Sequence, residues 1–164
     1  MKRFFHLSIA LFALTATAFL TSLTASAGGQ SERISAAQVK SMIEGLGYEL
    51  KTLNSEVDKE KYEFTITRGG YDIPVAAEIS PSKNYLWLTV FLGPAPKAAD
   101  TAASKFEAFL KANFDVQPCQ FYITTKGNLM MAIALDNRNI TAPFLKTKID
   151  KIVDDTVKKA DLWK

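Results

Sequence analysis

Few residues in this chain of 164 amino acids could carry out catalysis. The one histidine, His6, lies in an N-terminal apolar segment that we expect to be removed from the mature protein. Histidine supplies the imidazole base of Ser-His-Asp and Cys-His catalysis, and it is a common metal ligand. We therefore predict no catalytic residue, no metal site and no cofactor site, and we predict that the protein is not an enzyme.

Two groups of carboxylates are the remaining candidates for chemistry. Glu56, Asp58 and Glu60 lie close together in a polar loop, but they lack the ligand spacing with which an EF-hand loop binds calcium. Asp72 and Glu78 alternate with the apolar residues of a predicted strand, where charge is expected on the solvent-exposed face. Paired carboxylates hydrolyse glycosides, but only when their separation and surroundings are set. We interpret both groups as solvated side chains.

The single cysteine, Cys119, is the one candidate nucleophile with a thiol. With no second cysteine, the chain cannot form an internal disulfide. A buried, unreactive thiol is the usual state of a cysteine at the start of an apolar strand. The alternative is a free thiol that forms a disulfide between two subunits in an oxidising compartment.

An aromatic surface is the clearest indication of a function. The run from Tyr85 to Leu92 is apolar at every position except Thr89. Because successive side chains of a strand point to opposite faces, Tyr85, Trp87 and Phe91 share one face and aliphatic residues fill the other. If helices cover only the aliphatic face, the aromatic residues need another cover, and such a patch usually marks an interface. These three aromatics are therefore our candidate interface. The alternatives are that a helix or the C-terminal Trp163 covers them, or that both faces of the strand are interior.

A meander of strands positions this aromatic surface. Tyr62–Ile66 and Ile73–Ile79 alternate apolar with polar or small residues, and Tyr85–Leu92 is apolar on both faces, which is typical of a more central strand. Turn residues separate the runs, first at Arg68-Gly69-Gly70. Since proline cannot donate to a strand ladder, Pro74 predicts that its strand lies at an edge or carries a bulge.

Helices are predicted before, within and after the strands. Ser35 and Gln38 have the spacing of a capping box at the start of the first helix, and Thr141 can cap the last helix with Pro143 in its first turn. Apolar residues at helical spacing predict the middle helix: Ala99, Ala102, Ala103, Phe106, Phe109, Leu110 and Phe114. The predicted order is α-β-β-β-β-α-β-β-α. This is an α+β fold, an antiparallel sheet with helices on one face.

The N-terminus has the pattern of a secretory signal peptide. Lys2 and Arg3 precede an apolar run, and small residues follow it up to Ala25-Ser26-Ala27. We predict a signal peptide over residues 1–27 and a single α+β domain over 28–164, and we expect the protein to be exported to the periplasm or secreted. A retained membrane anchor is the competing interpretation. After cleavage we expect no membrane span.

The predicted mature domain carries little net charge. Loss of two basic residues with the signal peptide lowers the formal charge from +3 to +1. A nucleic-acid-binding domain would be expected to carry a basic stripe with interleaved aromatics. The lysines near the C-terminus are instead interspersed with aspartates, as on a solvated helix face. We therefore predict no nucleic-acid partner.

The order of elements and its turns resemble a known family, the YbjN-type bacterial sensory transduction regulator domain. That domain is similar in fold to the type III secretion chaperones of the Tir class. The resemblance rests on four stretches: Leu46-Gly47-Tyr48, Arg68-Gly69-Gly70, Lys126-Gly127-Asn128-Leu129 and Ile140-Thr141-Ala142-Pro143. These are turns and caps across nearly the whole mature chain. The resemblance implies no catalytic residues, and it implies a dimer that binds extended segments of partner proteins.

We therefore predict a non-enzymatic, exported protein-binding or chaperone-like module. It would act through the apolar sheet face or an edge strand, as a homodimer with a protein or peptide partner. The alternative function is a carrier or sensor of a small apolar ligand or lipid in the cell envelope, held between sheet and helices.

Overall fold

The structure, a computed structural model, describes residues 32–97 and 102–164. The predicted signal peptide, residues 1–27, lies outside these described residues, as does Ala99 of the predicted middle helix. The cleavage site and the domain boundaries therefore stay predictions.

The described residues form an α+β fold in the predicted order, with one short helix added at the C-terminal end. The elements are α1 (Ala36–Gly45), β1 (Lys51–Asn54), β2 (Lys61–Arg68), β3 (Tyr71–Ile79), β4 (Tyr85–Pro94), α2 (Ala103–Asp115), β5 (Gln120–Ile123), β6 (Asn128–Asp136), α3 (Ala142–Lys158) and α4 (Ala160–Trp163).

One antiparallel sheet holds all six strands in the order β1-β2-β3-β4-β6-β5. The central position predicted for the all-apolar run is confirmed, because β4 lies between β3 and β6. The hairpin between β2 and β3 turns on Gly69 and Gly70, whose φ angles are +60° and +81°. A Cβ atom at Gly69 would lie 2.7 Å from Val157 Cγ1, so glycine is required there by both backbone conformation and packing.

The prediction that Pro74 lies in an edge strand or at a bulge is wrong. β3 is an interior strand, and its pairing with β2 is regular through Pro74 and Thr65. The ladder between β3 and β4, however, begins only at Val75. Pro74 thus lies beyond the end of that ladder, where its missing N–H removes no hydrogen bond to β4.

The residues before the first strand are more buried than the strand itself. β1 begins at Lys51, and all four of its residues are exposed. Tyr48 and Leu50 instead pack against the hydrophobic core, where the Tyr48 ring stacks on Phe64 with 5.0 Å between ring centroids. Their apolar character therefore reflects core packing ahead of the strand.

The hydrophobic core lies between one face of the sheet and the helices. α3 contacts β2, β3, β4 and β6, and α1 and α2 flank it over β3 and β5. The largest fully buried side chains come from both layers: Ile43, Phe64, Leu86, Leu88, Met131, Ile133, Leu145, Ile149 and Ile152. Helices therefore pack on this face of the sheet, which we call the helix face.

Both predicted helix caps are present. The Gln38 N–H donates to Ser35 Oγ (3.3 Å), and the Ser35 N–H donates to Gln38 Oε1 (2.7 Å), which completes the capping box of α1. At α3 the Phe144 N–H donates to Thr141 Oγ1 (3.3 Å), and proline occupies the first turn. Each cap satisfies backbone donors that the helix leaves unpaired.

Candidate protein-interaction surfaces

The second face of the sheet carries the predicted aromatic residues, and we call it the open face. Ala76 and Ala132 on this face are buried but do not belong to the hydrophobic core under the helices. The C-terminal tryptophan does not cover it: Trp163 Nε1 donates to the Thr156 carbonyl of α3 (2.9 Å), and its ring lies 5.8 Å from that of Tyr71, on the helix face. Among the described residues, then, no helix covers the open face.

The three candidate interface residues lie in one line along β4. Tyr85 and Phe91 are 47% and 53% exposed, and Trp87 between them is half-buried. Phe91 faces Met130 of β6, which in turn faces Tyr122 of β5. The sheet therefore extends the predicted aromatic line sideways, into a ridge that crosses three strands.

Small side chains separate this ridge from Trp87. Ala76, Thr89 and Ala132 lie side by side across β3, β4 and β6, and all three are buried. The Phe91 ridge rises on one side of this row, and Trp87 lies on the other. The result is a shallow trough across the strands, lined by apolar and aromatic side chains.

A cavity of about 360 Å³ opens in this trough. Its lining residues are Glu78, Pro81, Trp87, Thr89, Gln120 and Tyr122. Burial and the nearby Glu78 carboxylate raise the pKa of the Tyr122 hydroxyl, in that order of importance. Lys61 Nζ lies 3.2 Å from Glu78 Oε2 at the rim.

Sequence reasoning missed Gln120 and Tyr122 as parts of this surface. Alternation along β5 does assign both to one face of that strand. It does not show that β5 pairs with β6 at the far edge, which is what carries them towards Trp87. The missing information was strand order, and a single sequence carries little of it.

A second apolar surface lies on α2. Its apolar residues were expected to form one side of an amphipathic helix, but only Phe109 and Ala112 of α2 are buried, whereas Leu110 and Phe114 are 72% and 80% exposed. α2 packs mainly on β5. A strand of four residues is too short to cover the whole apolar side of the helix.

A groove of about 280 Å³ runs between α2 and β5. Its lining is almost entirely apolar: Phe106, Phe109, Leu110, Asn113, Phe121, Tyr122, Ile123 and Leu129. We call this surface the α2–β5 groove. Together with the exposed Leu110 and Phe114, it is a candidate interaction site.

The backbone edge of β5 beside this groove is partly blocked. The Phe121 N–H donates to Asn113 Oδ1 (2.6 Å), and Asn113 Nδ2 donates to the Phe121 carbonyl (3.2 Å). One side-chain amide thus takes the place of a neighbouring strand. At the other edge, β1 has four residues and an irregular register, which also resists strand addition.

The candidate carboxylates of the polar loop before β2 form ordinary ion pairs. Glu56 pairs with Lys59 (2.6 Å), and Asp58 pairs with Lys83 (2.7 Å). Over residues 32–97 and 102–164, no group of three or more His, Cys, Asp or Glu side chains could hold a metal ion. In the same ranges no helix is long and apolar enough to cross a membrane.

Cys119 is buried and free. Burial, and then the neighbouring Asp155, raise the pKa of its thiol to about 12. The thiol is therefore protonated at neutral pH, a poor nucleophile, and out of reach of a second subunit in the folded chain.

Comparison with known proteins identifies the fold. No family model matches the chain, and no curated protein matches it. A chain of the heterodimeric ExoU–SpcU complex, from the type III secretion system of Pseudomonas aeruginosa, is similar with a TM-score of 0.54 and 13% identity. That match covers 76% of this chain and 96% of the other.

Two further solved structures are similar. An uncharacterized protein from Methanothermobacter thermautotrophicus has a TM-score of 0.55 and 10% identity, with 79% of this chain and 96% of the other covered. A chain of the HopA1–SchA chaperone–effector complex has a TM-score of 0.45 and 9% identity, with 70% and 83% covered. The YbjN-type resemblance remains a prediction. The chain has an α+β fold like that of type III secretion chaperones.

Proposed function

We propose that this chain is an exported, non-enzymatic protein-binding module that holds an extended segment of a partner protein. It acts in the periplasm or outside the cell, and it is a dimer. The observation that carries the proposal is the open face, where exposed aromatics flank a trough on the side of the sheet that faces away from the helices. The fold supports it, because a similar chain, with a TM-score of 0.54, binds another protein in the heterodimeric ExoU–SpcU complex.

The face is a better binding site than the strand edges. Both edges resist strand addition, β5 through Asn113 and β1 through its short, irregular ladder. The open face instead offers Tyr85, Trp87 and Phe91 on rigid strands. Aromatic side chains on a rigid support lose little conformational entropy on binding, and Trp and Tyr are enriched among interface residues that dominate affinity.

The α2–β5 groove supports the dimer. Leu110 and Phe114 project from one side of α2 with the groove beside them, so two copies related by a twofold axis could bury both patches against each other. This assignment leaves the open face available in each subunit. The dimer would then present two partner-binding faces.

Alanine at position 87 tests the open face. We expect Trp87→Ala to weaken binding of the partner about tenfold or more, since the substitution removes the central aromatic of the trough. The measurement is the yield of partner captured after native purification of the exported protein, followed by titration with that partner. Phe144→Ala is the matched control, because Phe144 is an exposed aromatic on α3, on the helix side. Equal loss in both variants, or in neither, contradicts the proposal.

One observation favours a second function, a carrier of a small apolar ligand. The α2–β5 groove is apolar and of a size that accepts part of a lipid chain, although it lies at the surface rather than in the core. Lipid found by mass spectrometry in the purified protein, and lost in a Leu110→Asp variant, would support this function over the dimer.

A further inference from the structure

The cavity in the trough brings aromatic rings and a carboxylate together. Trp87 and Tyr122 supply aromatic rings, and Glu78 supplies a carboxylate. A cation placed against an aromatic face is attracted by the electron-rich ring, and a carboxylate nearby adds a charge–charge attraction. This combination recognises an ammonium or guanidinium group.

Glu78 is the one carboxylate that lines this cavity, and it is paired at the rim. Lys61 contacts Glu78 Oε2 from the rim, and both side chains are partly exposed. Burial, and then the nearby Glu78 carboxylate, raise the pKa of the Tyr122 hydroxyl, so Glu78 and Tyr122 lie close together in the cavity. Because an ion pair between partly exposed side chains is weak, a second cation can share this carboxylate with Lys61 or displace it.

The cavity is large enough to accept one long side chain. A volume of about 360 Å³ is at the low end of ligand cavities, and the cavity is continuous with an apolar trough. A hard metal ion would require several oxygen ligands, whereas this cavity has a single carboxylate. A long basic side chain fits better, because its methylene groups contact the aromatic rings while its charged end reaches the carboxylate.

We propose that the Glu78–Trp87–Tyr122 cavity receives a lysine or arginine side chain of the bound segment. This inference rests on the proposed function. The inference adds a chemical requirement to that function: the partner segment carries a basic residue between apolar residues. Tyr85 and Phe91 contact the apolar residues on either side.

A pair of synthetic peptides tests the requirement. The probe is acetyl-Phe-Ser-Lys-Ser-Phe-amide, and its neutral isostere has norleucine in place of lysine. Binding is measured by fluorescence titration of the Trp163→Phe variant, in which Trp87 is the one tryptophan. We expect the lysine peptide to bind about tenfold more tightly than the norleucine peptide at low salt, with the difference reduced at high salt.

Substituting Glu78 distinguishes binding in this cavity from binding elsewhere on the open face. Glu78→Gln should remove the preference for lysine and leave norleucine binding unchanged. Glu63→Gln should keep the preference, because Glu63 lies on the open face but outside the cavity. Thermal unfolding of each variant shows whether it is folded.

The outcomes distinguish this inference from the proposed function. Equal binding of the two peptides, or an unchanged lysine preference in Glu78→Gln, overturns the basic-residue requirement and leaves binding on the open face intact. No change in Trp87 fluorescence with either peptide overturns the inference. If Trp87→Ala then also fails to weaken capture of the natural partner, the proposed function fails with it.

Discussion

Replacing Phe64 by alanine is expected to lower the free energy of unfolding by about 3–5 kcal/mol, the usual loss for a large buried aromatic. The Phe64 side chain is 2% exposed and lies on the helix face of β2. Its ring stacks on Tyr48 with 5.0 Å between centroids, so the substitution leaves a cavity and removes an aromatic contact. Equilibrium unfolding in urea measures the effect.

The neighbouring residue is a matched control for this substitution. Thr65 follows Phe64 in β2, but its side chain is exposed on the open face. Thr65→Ala should change the free energy of unfolding by about 1 kcal/mol or less, since only strand propensity is lost. Similar losses in the two variants would mean that the strand does not present the faces described, which would also remove the basis for the open face.

The Leu110→Asp, Phe114→Asp double variant is expected to be a monomer at concentrations where the unmodified protein is a dimer. In the proposed dimer, both side chains would be buried between subunits, and carboxylates buried there without partners are costly. We expect the dissociation constant of the dimer to rise about 100-fold or more. Sedimentation equilibrium over a range of concentrations measures it.

A control variant distinguishes the interface from a general effect of charge. Phe144→Asp introduces a carboxylate at an exposed aromatic of α3, away from the α2–β5 groove. This variant should remain dimeric. An unmodified protein that is monomeric at every concentration, or a double variant that dimerises as tightly as the unmodified chain, would contradict the proposed dimer.

Local patterns in the sequence predicted most of the fold. Alternation placed Phe64 and Val75 on one face of the meander, and spacing placed Ser35 and Gln38 at the first helix cap. Both inferences depend on neighbours within a few residues. Where the outcome depended on distant pairing, prediction failed: Pro74 was expected at an edge or at a bulge. Its interior position is explained by the limited extent of the β3–β4 ladder.

The same contrast between local pattern and distant pairing applies to the residues of the candidate site. Alternation alone identified Tyr85, Trp87 and Phe91, because they share one strand. Tyr122 joins them through the pairing of β5 with β6, which no local pattern encodes. The exposure of Leu110 was also missed, since helical spacing shows that an apolar stripe exists but not how much of it a short strand covers.

The two surfaces lie on different parts of the sheet. The α2–β5 groove lies on the helix side at one edge, and the open face lies across the centre of the other side. Tyr122 lines both, but Leu110 and Trp87 each belong to one, so substitutions there disrupt the two surfaces separately. A dimer that loses partner binding, and a monomer that keeps it, are both expected among the variants described above.

Site-specific photo-crosslinking in the native host tests the central claim most directly. A benzophenone amino acid is placed at Phe91 on the open face or at Phe144 on the helix side, both of which are exposed. We predict that position 91 crosslinks to a partner protein and that position 144 does not. Crosslinking of that partner from position 144 but not from position 91 would contradict the open face as the binding surface.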